Sequence, residues 1–280
     1  MTYATVLLHL DDHPRMHARI DYAARLARRF ESHLVGVSAA DHSLFGLSAL
    51  TSFAGPDSLG AAVESSHRAA LSRARHFRER IETLAPNSFE AVIDAREVLE
   101  ALGRRSACAD LLVTGQPDPA WPDGARARGL LEQLVQHSVA PTLVIPHAGE
   151  FPHVGSHVLI AWDGSHGAAR AVVGAMPLLQ RAGKVSLLRC DTPVEADRME
   201  EACELELPRE WLGRHGVRID AWLEATPADV GNALLSRASD LGADMLVMGA
   251  WGRPPWAERM LGGVTRTILA SMTLPVLMSH

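Results

Sequence analysis

The chain has 280 residues, of which 47% are hydrophobic and 21% are charged, a composition typical of a globular protein with a large core. Its formal net charge of −6 gives no reason to expect nucleic acid or an acidic membrane surface as a partner. No apolar run approaches the roughly 18 residues of a membrane span, so no membrane partner is expected.

The cysteines and the N-terminal residues bear on the cellular compartment. The three cysteines are odd in number and far apart, which favours reduced thiols over a disulfide framework. The first apolar run is not preceded by a basic segment, so no signal peptide is expected. Together these features predict a cytoplasmic protein.

Apolar runs alternate with helical periodicities along the first half of the chain. The residue patterns predict strands at 5–10, 34–37, 89–93, 110–114 and 142–145, and helices at 15–29, 66–84, 96–107 and 130–137. The Ser, Gly and Ala-rich segment 41–65 is predicted to be a loop with at most one short helix. Strands that alternate with helices of this length indicate parallel βαβ units and a doubly wound sheet.

The second half follows the same plan. Strands are predicted at 157–162, 185–189, 217–223, 245–248 and 274–278, and helices at 166–180, 196–207, 227–241 and 264–272. Pro208 is expected to interrupt the acidic helix that begins at residue 196, because proline removes a helical N–H donor.

A constant offset relates the two halves. Adding 134 maps Asp110 onto Asp244, Gly115 onto Gly249 and Pro141 onto Pro275, without gaps. A single offset over more than thirty residues indicates a duplication. We therefore predict an α/β protein of two tandem five-stranded parallel-sheet domains, at 1–148 and 155–280, joined by a short linker.

Two pairs of glycines stand out in the last part of the second domain. Gly249 and Gly252 follow the apolar strand at 245–248, and Gly262 and Gly263 precede the final helix. Glycines at these places could simply be turn residues. They could also leave backbone N–H groups facing a common concavity beside a helix N-terminus, an arrangement that suits phosphate.

The pattern Gly-x₂-Gly-x₉-Gly-[Ser/Thr], after a buried strand and before a helix, resembles the nucleotide loop of universal stress proteins. Gly249, Gly252 and Gly262 match it, while Gly263 stands where the family has Ser or Thr. The change keeps the main-chain donor and removes a hydroxyl that would reach a phosphate. The resemblance extends over the whole chain and implies two Rossmann-like domains of the adenine nucleotide alpha hydrolase type.

The resemblance also implies a binding site for an adenine nucleotide (ATP, ADP or AMP), with or without Mg²⁺, in the C-terminal domain. An aspartate that ends the first strand would bind the base or ribose, main chain after the second strand would frame the base, and the glycine loop would hold the phosphates. The implied residues are Ala161, Asp163, Cys190, Met248, Gly249, Trp251, Gly252, Gly262, Gly263 and Val264. A competing interpretation of Asp163 is a helix N-cap.

The N-terminal domain lacks the equivalent loop. Asp118 stands opposite Gly252, and Arg128 stands opposite Gly262. An aspartate repels an anion, and a side chain blocks close approach of a ligand to the backbone. We therefore expect this domain not to bind a nucleotide in the same way and to serve as a structural partner.

The sequence contains no recognisable catalytic motif. Lys184 is the only lysine and lacks the glycines of a Walker loop, which excludes that class of NTPase. The motifs of serine hydrolases, zinc proteases, redox dithiols and dinucleotide enzymes are absent as well, and no metal site is expected. Slow ATP hydrolysis is the most activity that we expect.

The resemblance implies a stress-response protein that acts through protein partners. Family members pair through their last strands, so 142–145 and 276–278 are expected to pair in an intramolecular pseudo-dimer, and a homodimer stays open. Three alternatives also stay open: a nucleotide-independent interaction module, an enzyme of the related nucleotidyl-transferase fold, and a sensor of a ligand other than a nucleotide.

Overall fold

The computed structural model describes residues 2–40, 56–191, 198–225, 229–251 and 263–280. The chain divides into two compact units. The N-terminal unit comprises 2–115 and 138–140, and the C-terminal unit comprises 116–137 and 141–280. These units are defined by contacts and do not test the predicted domain boundary between residues 148 and 155, which stays a prediction.

The N-terminal unit is built on parallel strands in the order β3-β2-β1-β4. Thr5 lies opposite His33 in β2, and Val6 lies opposite Leu111 in β4. The described elements of this unit are, in chain order, β1 (Thr5–His9), α1 (Met16–Phe30), β2 (His33–Ala40), α2 (Pro56–Leu84), β3 (Ser88–Glu97), α3 (Val98–Ser106) and β4 (Leu111–Gly115).

The C-terminal unit has strands in the order β5-β10-β9-β6-β7-β8. β5 and β10 are antiparallel, with Val144 opposite Val276, and the β9, β6, β7 and β8 pairings are parallel. The predicted pairing of these two strands is therefore confirmed. The described elements are α4 (Gly124–His137), β5 (Thr142–Ile145), β6 (His157–Ala161), α5 (His166–Leu179), β7 (Lys184–Asp191), α6 (Arg198–Arg214), β8 (Asp220–Ala225), α7 (Val230–Leu241), β9 (Met245–Gly249), α8 (Val264–Ser271) and β10 (Val276–Ser279).

The strand bounds reproduce the internal repeat. Adding 134 to the bounds of β4 and β5 gives those of β9 and β10, and adding 152 to the bounds of β1 gives those of β6. The same hydrophobic pattern thus starts and stops the same strand in each copy. The predicted α/β fold with a mostly parallel sheet is confirmed.

The two faces of the C-terminal sheet carry different helices. Leu246 and Met248 of β9 lie in a core cluster with Leu234 of α7 and Ile268 of α8. Gly249, the next residue after Met248, contacts the first turn of α5 instead. This alternation follows from the two-residue period of a strand. We call the two sides the α7–α8 face and the α5–α6 face.

Two predictions about helices were wrong. α6 continues through Pro208, and α5 likewise contains Pro177. A proline removes one helical N–H donor, and both prolines are accommodated here as buried residues inside their helices. α2 begins at Pro56 rather than at residue 66, so 56–65 belongs to this long helix and not to a loop with a short helix of its own. Residues 41–55 lie outside the described residues. None of the described helices is long and apolar enough to cross a membrane.

Candidate functional site

Several of the predicted site residues meet at the carboxyl end of the C-terminal sheet. Ala161 ends β6, Cys190 lies near the end of β7, and Val264 begins α8. All three are half-buried and pack against the core cluster that includes Met248. They form an apolar surface, which we call the floor, on the α7–α8 face. Open parallel sheets place ligands at this edge.

Two residues of the floor were missed by the sequence analysis. Trp222 of β8 and Val230 at the start of α7 are half-buried and pack against the same cluster. Trp222 lies opposite Leu188 in β7, so the floor continues across a third strand. The signal was present, since Trp222 alternates with Ala221 in a strand pattern, but the face of an edge strand depends on its register.

Asp163 lies in the turn that follows β6 and is exposed. Its Oδ1 accepts a hydrogen bond of 3.0 Å from the backbone N–H of Ser165. Ser165 is the N-cap of α5, because its hydroxyl accepts a hydrogen bond of 3.1 Å from the N–H of Ala168. The capping interpretation of Asp163 was therefore wrong. Within the described parts of the chain, Asp163 forms no ion pair.

Gly249 is required by packing. A Cβ atom on Gly249 would lie 2.4 Å from the backbone nitrogen of Ala168 and 2.7 Å from the carbonyl carbon of Gly167. Both atoms belong to the first turn of α5, which sits directly on the end of β9. The predicted need for close backbone approach is met by this helix, and the role of Gly249 in lining a ligand stays a prediction.

Trp251 leads the chain out of β9 in an unusual conformation. Its φ angle is +50°, a left-handed value that costs a side-chain-bearing residue about 1–2 kcal/mol. The strain is supported by a hydrogen bond of 3.1 Å from the Trp251 N–H to the buried Thr265 hydroxyl. The indole meets the His280 ring edge-on at 6.3 Å between centroids. The hydrogen bond ties the strand exit to the first turn of α8, and the ring contact ties it to the residue after β10.

The N-terminus of α8 has a backbone cap only. Gly263 is the N-cap and provides no side-chain hydrogen bond to the first turn. The first N–H groups of such a helix carry a partial positive charge that favours an anion. Gly252 and Gly262, the other two glycines of the predicted loop, lie outside the described residues.

The adjacent helix start is capped by an aspartate that the sequence analysis did not single out. Asp229 accepts hydrogen bonds from the N–H groups of Gly231 and Asn232, at 2.7 and 3.2 Å. Its second oxygen accepts a bond of 3.0 Å from the Thr267 hydroxyl of α8. The N-termini of α7 and α8 are thereby held side by side. Aspartate just before a helical pattern is the signal that could have found it.

Comparison with known proteins identifies this part of the chain. The model of the universal stress protein family matches residues 156–280. The C-terminal half is a universal stress protein domain. A search of curated protein sequences finds no significant match.

Solved structures extend the universal stress protein fold over nearly the whole chain. One is a universal stress protein from Archaeoglobus fulgidus DSM 4304, with 16% identity, 98% of this chain and 94% of that chain covered, and a TM-score of 0.75. Another is the functionally unknown protein PA1789 from Pseudomonas aeruginosa PAO1, with 18% identity, coverage of 98% and 92%, and a TM-score of 0.61. At these identities the similarity shows the fold alone.

In the N-terminal copy of the universal stress protein fold, the strand-end acid is already occupied. Asp11 forms an ion pair with Arg19, which is only 4% exposed, and it also accepts a hydrogen bond from the N–H of His13. Burial raises the pKa of Asp11, but the Arg19 guanidinium and His9 outweigh it, so the pKa lies below its ordinary value. The Arg19 guanidinium also fills the space above Gly115.

The second acid of this copy is occupied as well. Arg73 of α2 is 6% exposed and donates to Asp12 at 2.5 Å. It also donates to the Ser38 hydroxyl at 3.0 Å and to the Ala39 carbonyl at 2.8 Å. The strand-end acids of the N-terminal unit are therefore bound by side chains of their own unit.

No metal site is visible in the described portion of the chain. The His, Cys, Asp and Glu side chains there do not form a group of three or more that could hold an ion. His13 and His17, one helical turn apart, bond to neighbouring backbone: the N–H of Arg15 donates to His13 at 3.1 Å, and His17 lies 2.7 Å from the Pro14 carbonyl.

Proposed function

We propose that the C-terminal universal stress protein domain binds an adenine nucleotide and acts in the stress response through other proteins whose binding depends on nucleotide occupancy. The observation that carries the proposal is the floor at the carboxyl edge of the sheet, with Asp163 after one of its strands and the start of α8 beside it. An apolar surface suits the faces of a purine, and a carboxylate suits its N–H or ribose O–H groups.

The proposed arrangement assigns a part to each side of the floor. Ala161 and Cys190 lie under the base, and Asp163 accepts a hydrogen bond from the base or ribose. Main chain around Met248, Gly249 and Trp251 lines the ribose. The phosphates lie at the first N–H groups of α8, where Gly263 and Val264 provide donors. An anion at a helix N-terminus gains about 0.3–1 kcal/mol in exposed settings.

Gly252 and Gly262 enter the proposal from the sequence pattern alone. Both are part of the loop that resembles the family's phosphate-binding motif. A Mg²⁺ ion, where present, would be held by the phosphates and water, as this ion retains much of its hydration shell. The same resemblance supports a cytoplasmic location and a pseudo-dimer built on the β5–β10 pairing.

The proposal is one of binding rather than turnover. The sequence carries none of the motifs of the common hydrolases and nucleotide-dependent enzymes. We expect ATP hydrolysis to be slow at most. A change in nucleotide occupancy then acts by altering the surface that a protein partner meets.

A titration with ATP tests the proposal. Isothermal titration calorimetry of the wild-type chain should show one binding event. Ala161→Leu places two branches and a longer stem on the half-buried floor and should weaken binding by at least roughly tenfold. Ala120→Leu, at an exposed position, is the matched control and should leave the affinity unchanged. Equal affinity of both variants and the wild type, at equal thermal stability, would refute the site.

A second candidate is an interaction module that works without a nucleotide. The observation that favours it is Gly263, which brings no hydroxyl to the start of α8. Gly263→Ser restores a side chain that can cap the helix or reach a phosphate. If the wild type binds ATP weakly and Gly263→Ser binds it much more tightly, the result favours the nucleotide-independent interaction module. An already tight wild type that gains little would favour nucleotide binding.

A further inference from the structure

We propose that the C-terminal unit has a second ligand site, a cleft between α5 and α6 that takes a small organic cation with a flat apolar body. The cleft has a volume of about 560 Å³. The residues that line it and carry the argument are Trp162, Asp163, Val173, Arg189, Leu207 and Trp211.

The walls of this cleft are apolar side chains that face solvent. Val173 of α5 is 56% exposed and Leu207 of α6 is 73% exposed. Trp162 and Trp211 contribute two half-buried indoles. Large apolar side chains that line one concavity are typical of a ligand site. Indole faces also attract cations, because the ring carries negative charge on its faces.

The cleft lies on the other side of the sheet from the proposed nucleotide floor. Arg189 lines the cleft, whereas Cys190, the next residue of β7, packs against the core of the α7–α8 face. Successive side chains of a strand point to opposite faces. The helices that border the cleft, α5 and α6, cover the side of the sheet opposite to the one that carries α7 and α8. Asp163, in the turn at the strand tip, is the residue that the two sites share.

In the N-terminal unit, ion pairs bridge the equivalent groove, which lies between α1 and α2. There Arg73 bonds to Asp12, and Arg80 forms two bonds of 2.7 and 2.8 Å to Asp21 of α1. The offset of 152 that maps β1 onto β6 places Gly164 at Asp12 and Val173 at Asp21. Neither position that carries a clamping carboxylate in the N-terminal unit carries an acid in the C-terminal unit, and the described residues leave a cleft there.

The charge of the ligand follows from Asp163. Its N-terminal counterpart, Asp11, is neutralised by Arg19, and the same offset places Ala171 at Arg19. Asp163 therefore lacks the guanidinium that its counterpart has, and it forms no ion pair within the described residues. Asp163 is the one acidic residue among the described residues that line the cleft, so its carboxylate is the one that the cleft offers a ligand. A carboxylate beside indoles and apolar walls recognises an amidinium, a guanidinium or an alkylammonium group.

Three probes of nearly the same shape test the charge preference: benzamidine, benzamide and benzoate. Calorimetric titration of the full chain should show benzamidine binding at least roughly tenfold more tightly than the other two, since hydrogen bonds to a charged partner dominate the difference. Asp163→Asn should reduce the benzamidine affinity to that of benzamide. Equal affinity of the three probes for the wild type, or no binding of benzamidine, overturns the proposal.

A second variant separates the cleft from the nucleotide floor. Val173→Lys adds a positive charge to an exposed wall and should abolish benzamidine binding while leaving ATP binding at its wild-type value. Val139→Lys, at a valine that is 62% exposed elsewhere, is the matched control and should bind benzamidine normally. Equal benzamidine binding by the two variants overturns the cleft. A wild-type chain that binds benzamidine but does not bind ATP refutes only the proposed function.

Discussion

The two copies of the fold differ in what holds the acid at the end of the first strand. In the N-terminal unit, Asp11 is held by the buried Arg19 of α1. In the C-terminal unit, Asp163 is exposed, and Ala171 stands at the position of that arginine. One copy satisfies its acid internally, whereas the other leaves its acid exposed, where we propose that it meets a ligand.

The largest expected effect comes from removing the internal partner. Arg19→Ala leaves the Asp11 carboxylate without its guanidinium and opens a space above Gly115. Because Asp11 is 31% exposed, the expected cost lies at or below the lower end of the about 3–5 kcal/mol that a fully buried pair loses. Arg80→Ala breaks a pair whose arginine is 43% exposed and should cost at most about 1 kcal/mol. Urea unfolding should show this order. Equal losses in the free energy of unfolding of the two variants would mean that the ion pair between Arg19 and Asp11 does not stabilise the fold more than a surface pair does.

The equivalent glycines Gly249 and Gly115 give the next largest effect. Gly249→Ala places a Cβ 2.4 Å from the backbone of α5, which cannot move alone, so a loss of about 1–3 kcal/mol is expected. Gly115→Ala meets the guanidinium end of the Arg19 side chain, which can turn away only by giving up its ion pair with Asp11, so a loss of similar size is expected.

Gly129→Ala is the control for both substitutions. Gly129 lies in α4 with no atom near its missing Cβ, so alanine there should be neutral or stabilising by up to about 1 kcal/mol. Thermal or urea unfolding of the three variants measures the order. A Gly249→Ala protein as stable as the control would show that α5 does not press on the end of β9.

Substitution of each strand-end acid separates ligand binding from stability. Asp163→Asn keeps the shape and removes the charge, so ATP affinity should fall by roughly tenfold, about 1.4 kcal/mol, with little change in stability. Asp11→Asn should leave ATP affinity unchanged and lower stability. Calorimetry and urea unfolding of both proteins check the contrast, and the reverse pattern would place the nucleotide in the N-terminal unit.

How much of this could be predicted from the sequence depends on how local each feature is. The buried strands β4 and β9 are continuous apolar runs between polar turns, so their bounds and their repeat could be predicted. The Arg19–Asp11 pair could not, because Asp11 lies in a loop, where no helical or strand period fixes the direction of its side chain. Trp222 and the α5–α6 cleft depend on register and on packing of distant segments. By residue type, Ser165 and Asp163 are equally good helix caps, so the residue types alone do not decide between them.

The pH dependence of stability gives the smallest effect and the most direct view of the Asp11 environment. The pKa of Asp11 is below its ordinary value in the folded protein, since the Arg19 guanidinium and His9 outweigh the effect of burial. A depressed folded pKa stabilises the fold above the unfolded pKa of about 3.9, and this contribution disappears as pH falls through the folded value. The wild type should therefore be more stable than Asp11→Asn at pH 6, and the difference should shrink as the pH is lowered through that range toward about 2. Urea unfolding at several pH values measures it. A difference that stayed constant with pH would mean that Asp11 stabilises the fold through its turn geometry, which asparagine preserves, rather than through its charge.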